Sequence, residues 1–65
     1  MPDTLEIQFC LKRRGKSQRE IAQRLGYTEA YVSQVINRKR RNKRIEELIA
    51  RWTGFRRSEL FPEAA

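Results

Sequence analysis

Between Ser17 and Asn37 the chain reads SQREIAQRLGYTEAYVSQVIN, and one glycine divides it into two short amphipathic patterns. Ile21, Ala22 and Leu25 recur at helical spacing in the first, and Val32, Val35 and Ile36 do so in the second. Ser17 is placed to cap the first helix while Glu20 reaches back to it, an S-x-x-E capping box. Gly26 ends that helix, because the left-handed turn needed there costs glycine little. Only Tyr27 and Thr28 separate Gly26 from the next helix, with Thr28 as its N-cap. So short a connection does not let two helices lie antiparallel. It predicts a sharp crossing of the helix-turn-helix kind, with Ala22 at the close approach and Val32 and Val35 pinning the second helix to the first.

The flanking segments are helical too. From Thr4 to Arg14, Ile7, Cys10 and Leu11 form one stripe, stopped by Gly15, while Leu5 and Phe9 lie on roughly the opposite side. After Asn42, another good cap, Ile45, Leu48, Ile49 and Trp52 make a clean apolar stripe ended by Gly54. Cys10 and Trp52 are expected in the core. In the tail FRRSELFPEAA, Ser58 is expected to cap one short turn before Pro62, anchored by Phe55, Leu60 and Phe61. Nothing alternates as a strand would. The expectation is an all-α single domain over residues 1–65, four helices and a closing turn.

Composition narrows what such a domain can do. A chain of 65 residues buries only about 60% of its unfolded surface, too little to enclose a large catalytic cleft as well. There is no His and a single Cys, so neither a zinc site nor an internal disulfide can be assembled. No phosphate-binding loop and no paired acids suggest catalysis, and neither enzyme activity nor a cofactor, metal or small-molecule ligand is expected. Fifteen Lys and Arg against eight Asp and Glu leave a net charge of +7, which calls for a polyanionic partner. Asp3 and Glu6 near the start are unlike a signal peptide, and no apolar run approaches the ~18 residues of a membrane span. A cytoplasmic location without membrane contact is expected.

Gln18, Ala22, Gly26, Val32 and Val35 stand at the spacing of the helix-turn-helix in lambda-repressor-like domains, and the chain resembles the Cro and C1 type of bacterial and phage regulators. GYTEAYVSQVINRKR looks like the recognition segment of that family, and SELFP is similar to the closing turn of Ner-like phage regulators. The resemblance runs from Ile7 to Pro62. It departs at Arg38, where the family often has Gly after the Asn that ends the recognition helix; Asn37 itself tolerates a left-handed conformation. The resemblance implies duplex-DNA binding, with the start of the second helix against the DNA backbone.

The residues themselves agree with that implication. With Val32, Val35 and Ile36 turned inward, the helix from Thr28 to Asn37 presents Ala30, Ser33, Gln34 and Asn37 outward, and Glu29 projects from its first turn. Such short, amide-bearing side chains suit a major groove: Gln34 can bond an adenine edge, Glu29 can accept from a cytosine amino group and Ala30 can meet a thymine methyl. Each is also an ordinary solvent-facing helix residue, and Glu29 complements the helix dipole. Ser17, Gln18 and Arg19, then Thr28 and Tyr31, are candidates for phosphate contact. So is the run Arg38, Lys39, Arg40, Arg41, Asn42, Lys43, Arg44, in which six of seven residues are basic. Lys43 and Arg44 open a helix, where positive charge costs roughly 0.3–1 kcal/mol each at low salt. An incoming phosphate reverses the sign of that cost.

Leu5 and Phe9 either pack against Phe55 or Phe61 or form a subunit contact, and a homodimer on half-sites about 34 Å apart would double what one small module reads. The function expected is a sequence-specific transcriptional regulator, a repressor of Cro/C1 type. Two alternatives stand beside it: an accessory or assembly factor of a phage or mobile element that holds DNA for other proteins, and an RNA-binding module. The latter usually exposes aromatics for base stacking, whereas most aromatics here read as core.

Overall fold

Each helix begins where a side chain can accept from the free amides of its first turn. In the computed structural model, which describes residues 2–62, these starts delimit α1 (Thr4–Arg13), α2 (Gln18–Leu25), α3 (Glu29–Ile36), α4 (Lys43–Thr53) and α5 (Arg57–Leu60). Residues 1 and 63–65, part of the single-domain expectation, lie outside the described residues. Asp3, Ser17, Thr28 and Asn42 accept from the amides of Glu6, Glu20, Tyr31 and Ile45 at 2.8, 3.2, 3.1 and 3.1 Å. Among the described residues there is no strand, and the fold is all-α, the closing turn being the one-turn helix α5.

Several local expectations change. Only the serine half of the Ser17 capping box forms, because the Glu20 carboxylate lies 3.9 Å from Lys16 Nζ instead. Ser58 is not a cap but the second residue of α5. The N-cap is Arg56, which has no side-chain acceptor, and the Glu59 carboxylate accepts from the Arg56 amide at 3.2 Å in its place. Helix α1 stops at Arg13, with Arg14 as its C-cap.

At Gly26, φ is +80°. A Cβ there would meet nothing within 4 Å, so the backbone angle alone is what asks for glycine. The turn brings α3 across α2, and α4 packs against α1, α2, α3 and α5, which makes it the centre of the fold. Ile7 and Leu11 of α1, Ile21 and Ala22 of α2, Val32, Val35 and Ile36 of α3, and Ile45, Leu48 and Ile49 of α4 are buried together, closed off by Leu60 and Phe61. Two expected core residues are only half-buried: Cys10 and Trp52. The indole packs against the core but is too large to be enclosed at the edge of so small a domain. Its outer face is covered by cations, Lys16 Nζ at 5.0 Å and the Arg24 guanidinium at 5.9 Å from its ring. Leu5 and Phe9 do not pack on Phe55 or Phe61; they are 75% and 62% exposed.

Candidate nucleic-acid interface

Because Val32, Val35 and Ile36 are fully buried, the opposite side of α3 is necessarily turned outward. There Glu29, Ala30, Gln34 and Asn37 are exposed and Ser33 is half-buried. Asn37 closes the helix as its C-cap, and its Nδ2 donates to the Ser33 carbonyl at 2.9 Å and to Ser33 Oγ at 3.3 Å. The acceptor end of the amide, Oδ1, takes no part in these bonds. No ion pair holds Glu29 among the described residues.

The basic run divides into two sets. Arg38 takes the left-handed conformation itself, with φ +63°, while Asn37 stays at φ −79°. That conformation costs a non-glycine residue roughly 1–2 kcal/mol. The Arg38 side chain turns back into the fold, where Nε donates to the Leu60 carbonyl at 2.8 Å and Nη2 to the Pro2 carbonyl. Arg41 is likewise engaged internally: Nη2 donates to the Phe61 carbonyl at 3.1 Å, Nη1 to that of Pro62 at 3.0 Å, and its fork meets Glu46. Both guanidiniums therefore help to close the fold, and Arg41 stays exposed beside these bonds. A guanidinium has several donors in fixed directions, and here the carbonyls of the C-terminal segment lie along them. Lys39, Arg40, Arg41, Lys43 and Arg44 are exposed. Lys43 makes only a loose i,i+4 pair with Glu47 at 4.0 Å, both largely exposed, and such pairs are worth little.

Glu46 went unnoticed in the sequence and is fully buried. Its carboxylate accepts from Arg41, from Arg57 Nε at 3.1 Å and from the Asn42 amide at 2.9 Å. Burial is the largest single influence and works to raise its pKa, but the bonds from Arg41, the Asn42 amide and Arg57, with the charge of Arg41, together hold it below the ordinary carboxylate value. An acid four residues after a cap residue was the one available signal. Its partners, 5 and 11 residues away, are not readable from helical periodicity.

The helix starts keep donors to spare. Ser17 and Thr28 accept backbone amides through oxygen, so each hydroxyl hydrogen stays free to donate outward. Arg19 is exposed beside Ser17, and Gln18 is half-buried with its Oε1 enclosed and unpartnered. Tyr31 stacks on Tyr27, ring centroids 5.0 Å apart, and its hydroxyl accepts from Asn42 Nδ2 at 3.3 Å while keeping its own hydrogen. Asn42 thus joins the start of α4 to α3.

Among the described residues no group of three or more His, Cys, Asp or Glu could hold a metal ion, and no helix is long and apolar enough to cross a membrane. A search of curated proteins and one of solved structures gave no match. A family model described as helix-turn-helix matches residues 7–50, a span that runs from the first buried residue of α1 through the α2–α3 turn and into the last turns of α4. With the crossing at Gly26 and the outward arc of α3 in the same span, the chain belongs to the Cro/C1-type helix-turn-helix family of lambda-repressor-like DNA-binding regulators.

Proposed function

We propose that the protein is a sequence-specific regulator that binds duplex DNA with α3 in the major groove and represses transcription by occupying a promoter of a phage or mobile element as a homodimer. One observation carries this reading: α3 has its whole apolar side buried, while its other side holds exposed hydrogen-bonding side chains, with exposed cations following it in the chain. In the reading, Glu29, Ala30, Ser33, Gln34 and Asn37 meet base edges. Ser17, Gln18, Arg19, Thr28, Tyr31, Arg38, Lys39, Arg40, Arg41, Lys43 and Arg44 meet the backbone. Repression follows from occlusion, since a domain seated in the groove denies that duplex to polymerase. The similarity of SELFP to the Ner-like closing turn supports a mobile-element setting.

The test is a gel shift on duplex DNA in the presence of competing unlabelled copies of the same duplex or structured RNA. Binding that survives RNA but yields to duplex, with Gln34→Ala losing about 1–3 kcal/mol on the preferred duplex and little on random DNA, is the expected result. Equal losses on both DNAs, or displacement by RNA, would remove the reading. Exposed Leu5 and Phe9 also suit an accessory factor whose partner is another protein; mixed complexes in place of homodimers on DNA would favour that alternative.

A further inference from the structure

Among the outward residues of α3, Gln34 is the one gripped by a cation. The loop after α3 folds back over the end of the helix, the amides of Lys39 and Arg40 both reaching the Gln34 carbonyl at 2.9 and 3.3 Å. That return places the Arg40 guanidinium over the Tyr31 ring, 5.6 Å from its centroid, and Arg40 Nε donates to Gln34 Oε1. Both Gln34 and Arg40 are exposed. Arg40 is therefore positioned by backbone, ring and amide at once, on the face of the helix that would meet DNA.

The contact dictates what Gln34 can offer. A guanidinium carries only donors, so the amide must turn its oxygen toward Arg40; flipped, its NH2 would meet the guanidinium donor to donor. With Oε1 held by a charged donor, the outward end is Nε2 and its two hydrogens. The same guanidinium brings its Nη hydrogens as further donors. Together they form a head rich in donors, whose one acceptor, Oε1, is already engaged by the guanidinium. Adenine presents an acceptor and a donor in the major groove, and a free glutamine matches it by accepting with one atom while donating with the other. With Oε1 turned toward Arg40 and the guanidinium's donors added beside it, this head matches adenine poorly, because the adenine amino group would face other donors. Guanine presents two acceptors, O6 and N7, and matches it.

We infer that Arg40 and Gln34 act as one base-reading unit that selects guanine against adenine, with Arg40 as the specificity-determining residue. The inference rests on the reading that α3 enters the major groove. It replaces the adenine contact that Gln34 alone would suggest, and it moves Arg40 from the backbone contacts to base reading.

The test is selection from a random duplex library by the full chain, with Arg40→Ala and Gln34→Ala run in parallel and helicity checked by circular dichroism. The wild type should enrich guanine at a position that Gln34→Ala randomises. Arg40→Ala, which frees the amide to turn, should move that same position to adenine, and an original preference of about tenfold or more for guanine should vanish or invert. Enrichment of adenine there by the wild type overturns the inference. So does an Arg40→Ala protein that loses affinity equally on guanine and adenine duplexes with the winning base unchanged, the behaviour of a phosphate contact alone. If the wild type enriches no duplex at all, the groove reading fails and the inference falls with it.

Discussion

Arg41 meets both oxygens of the buried Glu46 carboxylate, Nε donating to Oε2 and Nη2 to Oε1, each at 3.0 Å. The same guanidinium reaches the carbonyls of Phe61 and Pro62, and Arg57 at the start of α5 meets the same carboxylate. One acid therefore joins the basic loop, the first turn of α4 and the C-terminal segment. This explains why a run of cations can be held beside the start of a helix: two of them, Arg38 and Arg41, also bond inward to close the fold.

Removing that acid should be costly. Glu46→Ala leaves the Arg41 and Arg57 forks without their carboxylate. Breaking a buried pair from one side typically costs 3–5 kcal/mol, and because both arginines retain some exposure about 3 kcal/mol is expected. In a domain of this size that lowers Tm by more than about 10 °C. The pH dependence fixes the cause. A carboxyl whose folded pKa is depressed contributes stability above its unfolded value, near 4.3, and loses that contribution as pH falls through the folded value. The stability gap between wild type and Glu46→Gln should thus be level from pH 7 to about pH 5 and shrink below that range. A gap that stays constant into acid would show that the charge of Glu46 is not what stabilises the fold.

Arg38 combines a strained backbone with two internal hydrogen bonds, so two substitutions separate the effects. Arg38→Ala keeps the strain and loses the bonds to Leu60 and Pro2. Arg38→Gly loses the same bonds but relieves the left-handed cost. The glycine variant should be the more stable of the two by about 1 kcal/mol in denaturant unfolding. Equal stabilities would mean that the positive φ is not maintained in solution.

Neutralising Lys43 and Arg44 to Gln should weaken binding to specific and random duplex alike. Counterion release predicts a flattening of about 0.9 per lost phosphate contact in the slope of log affinity against log salt, so the double variant should flatten it by nearly two units per subunit. Its Tm should be unchanged or slightly raised, since two cations leave the positive end of α4. An unaltered salt slope would return both residues to the role of solvated charges.

Leu5→Asp together with Phe9→Asp should abolish any dimer and leave the helices folded, because both side chains already stand in solvent. Sedimentation with and without duplex DNA is the measurement. Unchanged mass with retained helicity would remove this face of α1 as the subunit contact.

The α2–α3 crossing, the four helices and most of the core were legible because they are set by short-range physics: cap residues three positions from the amides they satisfy, a glycine where φ must be positive, and apolar residues at helical spacing. The outward arc of α3 followed from the same periodicity. What periodicity could not supply is which cations belong to the surface. Arg38, Arg40, Arg41 and Arg44 are the same residue type within a few positions. Yet Arg38 bonds carbonyls 22 and 36 residues distant and Arg41 carbonyls 20 and 21 residues distant. The fate of each guanidinium depended on where the C-terminal segment came to rest, and so did the burial of Glu46. Only the packed chain brings those groups within hydrogen-bonding distance, because a directional bond forms where tertiary structure places an acceptor along the donor, a condition that no local spacing encodes.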